Sequence, residues 1–137
     1  MGKVFVLDAC ALVALLKNET GANVVSAAYR QAENSEADII MNRINLLEVY
    51  YGFYHDDGKE YADRIIDSIA KSIVTISEFD KEIFLIAGRL KASYRISLAD
   101  SIVLAQTILL NGELVTSDHH EFDPIEGHEP IRFYWIR

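Results

Sequence analysis

The chain has 137 residues, half of them hydrophobic and a quarter charged, which suits one globular domain with a real core. Its formal net charge of −8 excludes a protein that grips nucleic acid along a broad basic face, while contact with a phosphate through a bound cation stays open. The longest stretch without charge, Ser101–Gly112, is too short to span a membrane, and a single cysteine, Cys10, excludes an intramolecular disulfide framework.

Met1-Gly2-Lys3 shows no signal-peptide pattern and leads into a buried strand over Lys3–Leu7, so the cytoplasm is the expected compartment. Ala9–Leu16 reads as a short, nearly all-apolar helix, Gly21–Ala32 as a second helix with a polar face, and Glu33–Glu36 as a solvated turn. Asp38–Met41 is the next strand. Ile44, Leu47, Tyr51 and Tyr54 then recur at helical spacing and predict a helix buried along that face. Asp57-Gly58 breaks the pattern, and Tyr61–Ala70 resumes it with Ile65, Ile66 and Ile69. Ile73–Ile76 reads as a short strand, Lys81–Tyr94 as a helix, and Leu98–Leu110 as another, with Ser97 as N-cap and Asn111-Gly112 as stop signal. Glu113–Ser117 and Ile131–Trp135 are the last strands. With no linker, repeat or low-complexity segment, residues 1–137 read as a single domain. Strands alternating with helices predict an α/β fold: a mainly parallel sheet of about five strands, joined by right-handed crossovers and covered by helices on both faces.

Four acids interrupt this apolar framework. Asp8 closes the run Val4-Phe5-Val6-Leu7, Glu48 lies inside Asn45-Leu46-Leu47-Glu48-Val49-Tyr50-Tyr51-Gly52, Asp100 inside Ser97-Leu98-Ala99-Asp100-Ser101, and Asp118 ends Leu114-Val115-Thr116-Ser117-Asp118. Buried carboxylates are costly unless paired, and no nearby Lys or Arg suits all four. Taken singly, three have ordinary explanations. Asp8 suits the N-cap of the helix that begins at Ala9, Ser97 and Asp100 have capping-box spacing, and Asp118 suits a turn after a strand. Glu48 is harder to dismiss, because it borders an apolar stripe. In a parallel sheet, ligands gather beyond the carboxyl ends of the strands, which is where all four acids fall. Two carboxylates about 5 Å apart at an effective dielectric of about 20 repel by roughly 3 kcal/mol. Summed over four acids, that would consume much of a typical stability of about 5–15 kcal/mol. A divalent cation relieves it, and oxygen donors without clustered His or Cys point to Mg²⁺ or Mn²⁺ over Zn²⁺.

Together the segments Val6–Leu12, Asn45–Gly52, Leu98–Ile102 and Leu114–Asp118 resemble, in order and over nearly the whole chain, the PIN-domain family of small metal-dependent nucleases. A lone PIN-like chain of this length is most similar to the VapC toxins of prokaryotic type II toxin–antitoxin pairs. The resemblance implies a PIN-like three-layer fold and an acidic pocket holding Mg²⁺ or Mn²⁺. It also implies an endoribonuclease, and in-line attack by water would leave a 5′-phosphate and a 3′-hydroxyl. Carried over by position, Asp8, Glu48, Asp100 and Asp118 are the catalytic and metal-binding acids. Asp8, Asp100 and Asp118 take the ion, and Glu48 orients water or holds a second ion. Thr116 matches the small hydroxyl residue before the last acid, Asp123 is a weaker further acid, and Cys10 stands where Ser or Thr is common. The resemblance further implies a homodimer and a small cognate antitoxin that lays an apolar segment in a groove.

Substrate contacts are less defined. Arg89, Lys91 and Arg95 could rim the pocket and meet phosphates, or simply form a solvated helix end. His119, His120 and His128 read as surface residues, and Tyr50, Tyr51 and Tyr54 as core or dimer-interface residues. A phosphatase with Asp8 as nucleophile is the rival enzyme. The haloacid-dehalogenase pattern, however, wants a second Asp where Cys10 stands, and a receiver domain wants an acidic pair that Met1-Gly2-Lys3 does not supply. A PIN-like scaffold that only binds RNA or protein is the non-enzymatic rival. Loss of a site acid would favour it, and all four are present.

Overall fold

The β-branched and aromatic runs form strands, and the segments between them form helices capped by short polar side chains. The computed structural model describes residues 2–137; Met1, which the sequence reading sets ahead of the first strand, lies outside them. Strand β1 (Lys3–Leu7) leads into α1 (Ala9–Leu16) and α2 (Ala22–Glu33), and β2 (Ala37–Asn42) into α3 (Arg43–Asp57) and α4 (Lys59–Ala70). Next come β3 (Val74–Ser77), α5 (Lys81–Ser93), α6 (Leu98–Leu110), β4 (Glu113–Thr116), α7 (His119–Phe122) and β5 (Arg132–Trp135). Asp8, Asn42, Asp80, Ser97 and Asp118 each cap the following helix through a side-chain oxygen.

The five strands pair in the order β3-β2-β1-β4-β5, all parallel. Alternation along β1 sends Phe5 and Leu7 into one core, shared with α1–α4, and Val6 into a second core, shared with α5 and α6. The α/β architecture with helices on both faces is therefore as expected. Asn111 takes the left-handed conformation (φ 51°) and ends α6. Gly112 then brings the chain so near β1 that a Cβ there would lie 2.9 Å from the Val4 carbonyl oxygen.

Strand order reverses its direction of growth between β1 and β4. Such a switch point opens a crevice at the carboxyl ends of those two strands. Asp8 follows β1 directly, and Asp118 stands two residues beyond β4.

Two sequence expectations need correction. The face of α3 predicted to be buried is mostly solvent-facing: Leu47, Tyr51 and Tyr54 are 51%, 57% and 46% exposed, and only Ile44 is half-buried. The buried face is one residue round the helix, at Asn45, Leu46, Val49 and Phe53, because α3 packs between α1 and α4. A short helix, α7, also forms after Asp118, which serves as its N-cap where the sequence suggested a turn residue. Smaller shifts move β2 and β3 by a residue or so and start α4 at Lys59, directly after the Gly58 cap.

Candidate active site

The apolar run of β1 ends at Asp8, which is 5% exposed. Its extended backbone turns the side chain onto the first turn of α1, where Oδ1 accepts the Ala11 N–H at 2.9 Å. The Thr116 hydroxyl, fully buried at the end of β4, donates to Asp8 Oδ2. The same hydroxyl accepts the Asp118 N–H at 3.0 Å. A hydroxyl has one proton to give and lone pairs to receive, so Thr116 is satisfied in both roles. It thereby ties the two acids flanking the switch point to one atom. The Cys10 thiol donates to the same carboxylate, with Sγ 3.1 and 3.2 Å from Oδ1 and Oδ2, and lies 3.3 Å from the Ser117 hydroxyl. A thiol thus fills the place of the hydroxyl common in the resembled family.

Electrostatics link the other two acids to this pair. Burial is the main force raising the Asp8 pKa, offset by Thr116, Cys10 and the Ala11 amide, with the charge of Asp118 adding to the rise. Glu48, half-buried on α3, is raised first by burial and then by the charges of Asp8 and Asp118, while Asn45 acts in the opposite sense. Asp100, in the first turn of α6, is pushed up to about 7 by burial, then by Asp118, with smaller contributions from Glu121 and Asp8. The Ser97 hydroxyl works against that rise. Among the described residues, none of the four acids forms an ion pair with a Lys, Arg or His.

Two polar residues here escaped the sequence reading. Asn45 is 1% exposed, three residues before Glu48 on α3. Its Nδ2 donates to the Ala99 carbonyl at 3.1 Å, next to Asp100. Its Oδ1 is, among the described residues, the buried side-chain atom left without a hydrogen-bond partner. An Asn inside a helix at that spacing from an acid was the available signal. The other is Glu121, whose N–H donates at 3.2 Å to Oδ1 of its cap Asp118 and whose charge lies beside Asp100.

The weaker candidates are engaged elsewhere. Asp123 is exposed and pairs with His119 Nδ1 at 2.8 Å. His119 also stacks on Trp135 with ring centroids 3.8 Å apart. Arg89 holds Glu129 through two contacts of 2.8 and 3.2 Å, and Tyr94 donates to the same carboxylate, so this arginine pins α5 to the segment before β5. Lys91 and Arg95 are exposed, and Arg95 stands two residues before the Ser97 cap.

Donor chemistry fits a hard divalent cation: oxygen donors, three carboxyls whose pKa values are raised, and one buried amide oxygen without a partner. Among the described residues, however, no three His, Cys, Asp or Glu side chains are gathered into a set that could hold a metal ion. The acids act on one another through space without forming a closed coordination shell.

A parallel α/β sheet with acids at its switch point defines the class, an α/β domain with an acidic crevice. Within that class the chain belongs to the PIN domain family, whose model matches residues 5–126. PIN domains are nucleases that generally use divalent metal. No curated protein matches the sequence. Among solved structures, the fold is similar to VapBC2 from Rickettsia felis bound to a promoter DNA fragment, with a TM-score of 0.76 at 21% identity, covering 96% of this chain and 97% of that one. It is similar also to the DNA-bound VapBC of Salmonella typhimurium (TM-score 0.75, 17% identity, 100% of both chains). A third likeness is VapC20 of Mycobacterium tuberculosis, a sarcin-ricin-loop-cleaving toxin (TM-score 0.62, 10% identity, 82% of this chain and 87% of that one).

Proposed function

We propose that the protein is a metal-dependent endoribonuclease of the VapC toxin type, acting as one PIN-like domain, with Asp8, Glu48, Asp100 and Asp118 as its catalytic acids. The observation that carries this reading is the buried Thr116 hydroxyl joined to Asp8 and to the Asp118 amide, at the switch point between β1 and β4. Charges from Asp8 and Asp118 raise the pKa of both Glu48 and Asp100, which supports one shared pocket. A cation suited to such a site is Mg²⁺ or Mn²⁺, held by Asp8, Asp100 and Asp118. When bound, the ion supplies Lewis-acid polarisation of the phosphate and a lowered pKa for water. Within the chain, Thr116 and Cys10 fix the orientation of the Asp8 carboxylate. Glu48 accepts a proton from the attacking water or orients it, and Asp123 lies outside this set. The exposed Lys91 and Arg95 are the cations left to meet substrate phosphates, since Arg89 is committed to Glu129.

The neighbours whose structures contain both toxin and antitoxin support a small cognate antitoxin as partner. Its seat would be the groove of about 480 Å³ between α3 and α4, lined by Leu46, Leu47, Tyr50 and Ile66 among others. The exposed Tyr51 and Tyr54 extend the same apolar surface, and a homodimer would cover a further part of it or the Phe84–Leu85 face of α5. No helix among the described residues is long and apolar enough to cross a membrane, which accords with a cytoplasmic setting.

The test is RNA cleavage by the purified protein with Mg²⁺ or Mn²⁺, with chelator, and by Asp8→Asn. Asn is as good an N-cap as Asp, so the variant keeps its helix start. Cleavage is expected to stop with chelator and to fall by roughly 100-fold or more in Asp8→Asn, the scale of losing one preorganised electrostatic contact. Full metal-dependent activity in that variant would sink the assignment.

A further inference from the structure

Gly52 lies inside α3 without a local reason to be glycine. Glycine weakens a helix interior relative to alanine, because it gives up the most backbone freedom on folding. Its φ is not in the left-handed region, unlike those of Gly21, Gly58 and Gly127, and a Cβ there would meet no atom within 4 Å. Neither backbone conformation nor a close approach therefore requires the missing side chain. Gly88 on α5 is equally open, but it is solvent-exposed, whereas Gly52 is half-buried.

Beside Gly52 is a cavity of about 140 Å³ between α1 and α3. Val13 and Phe53 give it an apolar floor, and Lys17, Glu48 and Asp56 a charged rim. Glu48, Gly52 and Asp56 recur every four residues, so they share one face of α3 over about 12 Å of helix. At one end is Glu48, whose carboxyl feels the charges of Asp8 and Asp118. At the other, Lys17 Nζ lies 5.4 Å from the Phe53 ring centroid and 3.9 Å from Asp56 Oδ2. Both members of that ion pair are about half exposed, so it opens at little cost.

We infer that this cavity receives an unpaired nucleobase of the RNA, flanking the bond cut at the acids, and that glycine at position 52 keeps the space open for it. This rests on the nuclease reading above and adds a substrate contact to it. A base has apolar faces and a polar edge, which match an apolar floor ending in a donor, Lys17 Nζ, and an acceptor, the Asp56 carboxylate. Size restricts the occupant. At about 140 Å³, against about 480 Å³ for the groove between α3 and α4, there is space for one planar ring and none for a helix. Single-stranded RNA offers such rings, because its bases can be splayed out of the chain.

The experiment follows cleavage, with Mg²⁺ or Mn²⁺, of a single-stranded oligoribonucleotide that the parent cuts at one bond. The same RNA is also cut with an abasic ribose at each flanking position in turn. In the parent, kcat/KM is expected to fall by about 10–100-fold at one of these positions, the scale of losing one base contact. Gly52→Leu fills the cavity with a better helix former, so its melting temperature should match or exceed the parent's. It is expected to cut the intact RNA about 10–100-fold less well, and removal of the base should then cost nothing further, because both changes remove one interaction. A leucine that merely disturbed Glu48 would leave the dependence on the base intact. Parental kcat/KM in Gly52→Leu overturns the inference, as do losses from the variant and the abasic RNA that simply multiply. Should Gly52→Leu fail to fold, Gly52→Ala and Lys17→Met take its place, and an unchanged dependence on the flanking base in both overturns it too. Full cleavage by Gly52→Leu together with escape from a co-expressed inhibitory protein would assign the cavity to a protein segment instead. If the parent cleaves no RNA, the nuclease reading itself falls, an outcome distinct from a parent that cleaves while indifferent to Gly52 and the flanking bases.

Discussion

The Thr116 hydroxyl and the Asp8 carboxylate meet across the junction of β1 and β4, 108 residues apart in sequence, and the same hydroxyl receives the Asp118 amide. One buried oxygen therefore sets the position of two acids on neighbouring strands. Without it Asp8 keeps the Ala11 amide and the Cys10 thiol, but the Asp118 N–H loses its acceptor.

Replacing Thr116 by Val retains volume and branching while deleting both hydrogen bonds. Unfolding by denaturant should show a loss of about 1–3 kcal/mol, the cost of leaving buried polar groups unmet. RNA cleavage should fall by about 10–100-fold, as for other residues that orient metal ligands. Thr116→Ser, which restores the hydroxyl, should recover most of the activity. A Val variant with parental cleavage rates would show that Thr116 only packs.

Stability of the metal-free protein should decline as pH rises through the acidic-to-neutral range. Asp100 moves from an ordinary 3.8 to about 7 in the fold, with Asp8 and Glu48 raised in the same direction. Between those values the folded state binds more protons than the unfolded chain, so raising pH favours unfolding. The melting temperature without metal should be higher near pH 5 than at pH 7.5, and Asp100→Asn should flatten the difference. Mg²⁺ or Mn²⁺ should restore stability most at the higher pH, since ligands must be ionised to bind it, by about 2.7 kcal/mol at one hundred times the dissociation constant. A melting temperature that rises with pH in the absence of metal would contradict this assignment of the raised carboxyls.

Cys10 should be inert. Burial, followed by the charge of Asp8, pushes its thiol up to about 12. The thiolate is the reactive form, so alkylation by iodoacetamide at pH 8 should run roughly a thousand-fold slower in the folded protein than in denaturant. Cys10→Ser keeps a donor to Asp8 and should cleave RNA like the parent, whereas Cys10→Val should lose activity alongside a shift in the metal-free pH profile. Rapid labelling of the native protein would refute the buried, hydrogen-bonded thiol.

Strand and helix alternation was readable in the sequence because strongly apolar runs such as Val4–Leu7 and Ile102–Ala105 bury on either face of the sheet. The capping residues were readable too: Asp8 and Ser97 act as caps, and the cap formed by Asp8 is compatible with the site role proposed for it. What the residues could not disclose was direction. Helix α3 carries apolar side chains on most of its circumference, so periodicity alone did not decide whether Leu47-Tyr51-Tyr54 or Leu46-Val49-Phe53 faced inward. Packing between α1 and α4 decided it. Asn45 offered only its helix position three residues before Glu48 as a signal, and its bond to the Ala99 carbonyl, which joins α3 to α6, exists only in the folded chain. Helix α7 is too short to show a period, and its N-cap Asp118, accepting the Glu121 N–H, is what holds Glu121 beside Asp100.

The exposed side of α3 provides the remaining prediction. Leu47 and Tyr51 stand one turn apart, each more than half exposed, beside the groove that α3 forms with α4. Single exposed apolar residues are ordinary, but a row of them along a groove marks a surface that a partner covers. Leu47→Lys combined with Tyr51→Lys should leave the metal-free melting temperature nearly unchanged, because neither side chain belongs to a core. RNA cleavage by the isolated protein should persist to within a few-fold, since Asp8, Asp100 and Asp118 lie on other elements and only Glu48 borders this row on α3. What should change is inhibition: co-expressed with the product of a neighbouring small open reading frame, the variant should escape capture on an affinity column and keep its nuclease active. Continued tight capture and silencing would place the antitoxin elsewhere on the chain, and a shift from dimer to monomer on size-exclusion chromatography would assign this face to the homodimer instead.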